Sequence, residues 1–149
     1  MLKHNKGFSL IELLVVIAII GVLSAVGITA YTGYTASAKE QASRTQFSQI
    51  VSLLNAESAK CGLGSGTYAW GEDCTDTALS DSDIRDHLYD SLGMKNAYNN
   101  SQGKTDFITT GGDPSGDGEV GITVSGTNIT IKQTVKTGTT LEQTVQKAS

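Results

Sequence analysis

Apolar residues run almost without a break from Phe8 to Ile28, and Glu12 is the only side chain charged at neutral pH between Phe8 and Ala38. A run that long and apolar all round predicts a helix able to cross a bilayer. From about Ser37 the pattern narrows to a stripe. Phe47, Ile50, Val51 and Leu54 recur at helical spacing, with Lys39, Glu40, Arg44 and Gln46 left for the outer side. Together these predict one helix over about residues 8–60, its second half resting one face on a globular domain. Cys61-Gly62-Leu63-Gly64-Ser65-Gly66 stops it, because glycine suits the position just past a helix C-terminus.

Ser80 to Gly93 predicts a short helix, with Ser80 or Ser82 as cap, acids in the first turn and Ile84, Leu88 and Leu92 as a stripe. Residues 94–104 are polar and read as a loop. Alternation takes over after that. Asp106 to Thr109 is a short candidate strand. Val120, Ile122 and Val124 make a second, and Ser125-Gly126-Thr127 a turn. Ile129, Ile131 and Val135 follow, then Leu141, Gln143 and Val145. Consecutive strands with short turns predict an antiparallel sheet covering the amphipathic half of the helix. The expected fold class is therefore α+β.

The head of the chain is basic, with Lys3, His4 and Lys6 before the apolar run. By the positive-inside rule this end stays on the cytoplasmic side. A carboxylate in hydrocarbon costs a few kcal/mol at the least, so Glu12 is a functional-site candidate. Gly7-Phe8-Ser9-Leu10-Ile11-Glu12-Leu13 resembles the class III signal of bacterial type IV pilins and pseudopilins. The resemblance covers about the first thirty residues. It implies a ladle-shaped pilin fold, a cleaved leader (1–7), a transmembrane or fibre-core half of the helix (8–36) and a periplasmic or surface domain (37–149). It implies cleavage between Gly7 and Phe8 by a prepilin peptidase, which also methylates the new Phe8 amine. It further implies that Glu12 pairs with the terminal amine of a neighbouring subunit during assembly.

Other readings of the run fit less well. A secretory signal, with Ala25-Val26-Gly27 as cleavage site, is a poor match for Glu12 in its apolar core. A plain anchor leaves Glu12 unexplained, and a domain this small cannot enclose such a helix. Many relatives of the implied family carry proline where this chain has Thr29. Any soft segment here must come from Gly21, Gly27 and Thr29, as a stretch that extends during assembly or as small residues that let helices pack closely.

Length changes the picture little: without the leader, 142 of 149 residues make one domain. The formal charge is −4, or −6 once Lys3 and Lys6 are lost, which argues against general nucleic-acid binding. Two cysteines in an exported chain predict one disulfide, Cys61–Cys74. Many pilins place theirs near the C-terminus around an adhesive loop, so no adhesive role transfers to this one.

Asp113-Pro114-Ser115-Gly116-Asp117-Gly118-Glu119 resembles the start of a calcium loop, with Asp113, Ser115, Asp117 and Glu119 as candidate ligands. The acid expected at the twelfth position is missing, since Val124 stands there, and these are also ordinary turn residues. No cofactor is otherwise expected. Asn99-Asn100-Ser101 and Asn128-Ile129-Thr130 match glycosylation sequons. His87 reads as a surface residue, and Tyr31 and Tyr34 as packing residues on the helix. No nucleophile–base set, phosphate loop or zinc spacing occurs, so the chain reads as an enzyme's substrate and not as an enzyme.

The resemblance thus implies a structural subunit of a type IV pilus, a major pilin, partnered by its own copies, the prepilin peptidase and the assembly platform. It starts in the inner membrane and ends in surface fibres serving adhesion, twitching motility or DNA uptake. The alternatives are a pseudopilin of a type II secretion system, which the calcium-like loop favours slightly, and a minor tip or initiation pilin.

Overall fold

The computed structural model describes residues 7–64, 66–74 and 79–147. The leader before Gly7 lies outside them. The chain forms two compact units, Met1–Ala38 and Lys39–Ser149. Helix α1 spans Leu10–Gly62 and is unbroken through Gly21, Gly27 and Thr29. It ends where Leu63 N–H bonds Ala59 O and Gly64 N–H bonds Cys61 O. Gly64 has φ +85°, the left-handed turn that only glycine adopts without strain.

In the second unit Ile50 and Leu54 are fully buried, with Phe47 and Val51 packed partly against the same core. The expected stripe is therefore the buried face. Gln46 departs from the expectation. Its Nε2 donates to Lys95 O (3.1 Å), and its Oε1 accepts from Nε2 of the buried Gln133 (3.1 Å). Facing inward, it gives the buried Gln133 Nε2 a second acceptor beside Gly118 O (3.3 Å).

Four strands follow in spatial order: β1 (Ile108–Thr110), β2 (Val120–Ser125), β3 (Asn128–Lys136) and β4 (Thr139–Gln146). Two-residue turns at Gly126-Thr127 and Thr137-Gly138 join the antiparallel pairs β2–β3 and β3–β4. Val120, Ile122, Ile129, Ile131 and Val145 are buried with α1's stripe. The sheet is mixed, not purely antiparallel, because β1 pairs parallel to β2. The loop 111–119 carries the chain back to the end where β1 began, and it presses on the sheet at Gly121. A Cβ there would stand 2.5 Å from Gly112 O and 2.9 Å from Pro114 Cδ, so the close crossing needs glycine at this position. The strand expected at Asp106–Thr109 is also displaced. Lys104–Phe107 is one helical turn, α3, started at Gly103, and the strand begins at Ile108.

Helix α2 (Asp81–Asp86) has Ser80 as N-cap, its hydroxyl accepting from Ser82 N–H. It runs into a π-helical turn at His87–Ser91, and Gly93 follows at φ +66°. The π-turn breaks the expected stripe. Ile84 and Leu88 are fully buried, but Leu92 is 47% exposed. One extra residue per turn rotates everything after it off the 3.6-residue repeat.

Cys61 and Cys74 form a disulfide, with Cα atoms 5.4 Å apart. It ties the last turn of α1 to the following loop, as expected. Glu57 Oε2 reinforces the link by accepting from Ala69 N–H at 2.7 Å. Inside the loop, Tyr68 and Trp70 stack with centroids 4.7 Å apart.

Candidate functional site

Gly7, Phe8 and Ser9 precede the helix without regular structure. Ser9 and Glu12 then close its N-terminus reciprocally. Ser9 N–H donates to Glu12 Oε2 at 2.7 Å, and Glu12 N–H donates to Ser9 Oγ at 3.3 Å. This is a capping box, in which two otherwise unpaired amides are satisfied by two side chains. Within one subunit Glu12 therefore has a local partner, one residue beyond Phe8. The sequence signal for it is the spacing Ser9-x-x-Glu12, which a reading focused on the cost of the carboxylate in lipid passes over.

Beyond Glu12 the helix offers a bare apolar surface. Leu13 is 60% exposed and Ile28 65%, and none of the most apolar window is buried within the chain. By length and composition this is the one helix among the described residues apolar enough to cross a membrane. Its threonine hydroxyls are already satisfied. Thr29, Thr32 and Thr35 each donate to the carbonyl three residues back, at 2.9, 3.0 and 3.0 Å. A hydroxyl bonded to its own helix can face an apolar environment at little cost. Tyr31 and Tyr34 are exposed on this half. What the segment can do is bury a flank against something equally apolar.

The residues of the 113–119 loop are not gathered round one point. Glu119 Oε2 accepts from Ser115 N–H (3.0 Å), Ser115 Oγ (3.1 Å) and Gly116 N–H (2.7 Å). Its other oxygen accepts from Gln102 Nε2 at 2.7 Å. Burial raises the Glu119 pKa, but the donors from Gly116, Gln102 and Ser115 outweigh it and hold the carboxyl below its ordinary value. Asp113 instead pairs with Lys132 at 2.8 Å, and Asp117 accepts from the Thr137 hydroxyl at 2.9 Å. Only Ser115 and Glu119 meet. Among the described residues no three His, Cys, Asp or Glu side chains stand together as a ligand set.

A cleft of about 290 Å³ lies beside the π-turn, lined by Trp70, Asp83, Asp86, His87, Asp90 and Ser91 among others. Lys104 reaches Asp90 at 2.7 Å and Asp86 at 3.3 Å, and Arg85 reaches Asp86 at 2.8 Å. Those carboxylates are therefore largely matched by cations. Nearby, burial and then the adjacent Asp83 carboxyl push the Glu72 pKa up. Among the described residues no hydrogen bond in the cleft pairs a nucleophile with a base.

Residues 2–28 match the family model of the prokaryotic N-terminal methylation motif. No curated protein and no solved structure matches the chain. The match covers the same residues that carry the capping box and the bare flank. It supplies the chemical context in which Gly7, Phe8 and Glu12 stand together.

Proposed function

We propose that a chain bearing this signal, the class III signal of type IV pilins and pseudopilins, is a structural subunit of a type IV pilus. The observation that carries the reading is the pairing of the methylation motif with a helix flank that nothing within the subunit covers. The peptidase cuts after Gly7 and methylates the Phe8 amine. The precursor waits in the inner membrane with its sheet domain outside. In the fibre, copies of the apolar flank bury one another, and that burial supplies most of the stability.

Glu12 then changes partner. In the free subunit the capping box holds its carboxylate. On assembly the cationic amine of a neighbour's Phe8 competes for it, and a charge-assisted bond in an apolar surround is the stronger one. Pairing sets the register, because a subunit docked out of step leaves a charge buried alone. Gly21, Gly27 and Thr29 supply the segment best able to lengthen as the helices seat, since each Gly costs helix stability of up to about 1 kcal/mol.

The test is Glu12→Ala in the producing cells. The variant is expected to insert and be cleaved, yet to be recovered in sheared fibres at less than about a tenth of the wild-type amount, as loss of a buried charge pair worth a few kcal/mol requires. Wild-type fibre yield would remove Glu12 from the mechanism. Long surface fibres labelled by antibody to this chain support a pilus; a chain confined to the periplasm supports a pseudopilin.

A further inference from the structure

We propose that Asn99 is a glycan acceptor, modified on its side-chain nitrogen by a transferase using a polyprenyl-diphosphate-linked oligosaccharide. The inference rests on export of the domain, as read above. Two sequons occur in the chain, and the structure treats them differently. Asn99, Asn100 and Ser101 are all exposed, on a turn closed by Gln102 N–H to Asn99 O at 3.2 Å. Ser101 donates twice to Asn99 Oδ1, from its hydroxyl at 2.7 Å and its amide at 3.3 Å. The hydroxyl that defines the sequon thus holds the carboxamide oxygen. No partner of Asn99 Nδ2 occurs among the described residues.

In the second sequon Asn128 is exposed too, but it lies in a paired strand and its carboxamide oxygen is not held by the sequon hydroxyl. Asn128 sits in β3, paired with Ser125 on one side and Gln146 on the other. Its Oδ1 accepts from Gln146 Nε2 at 2.8 Å, and the Thr130 hydroxyl turns to Thr144 at 3.3 Å. To bend this sequon into a loop an enzyme would have to break β3 pairing with β2 and β4. At the first sequon, by contrast, no strand pairing involves Asn99 to Ser101, and the base of the loop is fixed. Asn96 Nδ2 donates to Gln102 Oε1 at 2.6 Å and to Asp117 O at 3.0 Å, so the tip is presented from a firm footing.

In the transfer, Asn99 Nδ2 bonds to the anomeric carbon of the first sugar. The bond from that carbon to the diphosphate oxygen breaks, and its electron pair leaves with the lipid diphosphate. The amide proton passes to a base of the transferase, and nothing is oxidised or reduced.

The experiment is mass spectrometry of tryptic peptides from the protein purified from its native cells. The peptide Asn96–Lys104 is expected to carry a sugar mass that fragmentation places on Asn99. Ser101→Thr should keep the addition; Ser101→Ala and Asn99→Gln should abolish it; Asn128→Gln should leave it unchanged. An unmodified peptide from native cells overturns the inference, as does an addition that survives Ser101→Ala. The N-terminal peptide in the same digest reads leader removal, so failure of the glycan site and failure of the pilin reading are told apart.

Discussion

Single residues in the globular unit show opposite electrostatic signs. Glu119 is held ionised by four donors. Its lowered pKa means that it adds stability above about the ordinary 4.5 and loses it as pH falls through the folded value. Glu119→Ala is expected to cost about 2 kcal/mol at neutral pH in chemical denaturation, as removal of a charged hydrogen-bonded group does. Added calcium should leave the wild-type melting temperature unchanged, since the loop's carboxylates already have other partners; a calcium-dependent rise would reverse that. Glu72 runs the other way. With its pKa raised above 4.5 by burial and Asp83, it favours the fold below 4.5 and becomes a burden as pH rises through its folded value. Glu72→Gln should therefore melt higher than wild type at pH 7, with the gap closing under acid. A variant that melts lower at pH 7 would refute the assignment.

Among the elements, the long helix and its buried stripe were readable from periodicity alone, because Ile50 and Leu54 follow the rule that an apolar face is a buried face. The β2–β3 hairpin was readable because alternation and a Gly turn coincide at Ser125-Gly126-Thr127. Three features were not. The π-turn that throws Leu92 outward, the inward Gln46 and the parallel β1 all depend on what packs opposite them, and local pattern carries no record of that. The site divided in the same way. Glu12 stands out as a carboxylate in an apolar run, and Gly7 and Phe8 only through the resemblance to a known signal, whereas the bonds that disperse the 113–119 carboxylates exist only in three dimensions. The disulfide belongs to this scale too. It closes a loop of separation 13, for which chain entropy predicts about 3 kcal/mol. Replacing both cysteines by serine should lower the unfolding free energy by about that amount. Unchanged denaturation midpoints would mean that Glu57 and the loop's own bonds suffice.

For the molecule as a whole, the described chain leaves one large debt of exposed apolar surface, on α1 before Ala38. In the proposed function a membrane settles it in the precursor and copies of the same helix settle it in a fibre. The methylation motif at residues 2–28 overlaps that surface, and in the proposed function its processing separates the two states. The most direct test is the intact mass and N-terminal sequence of the protein sheared from the surface of the cells that make it. The account predicts a chain that begins at a methylated Phe8 and is recovered from filaments. A chain still carrying Met1 to Gly7, found in the membrane and never in a polymer, would contradict it.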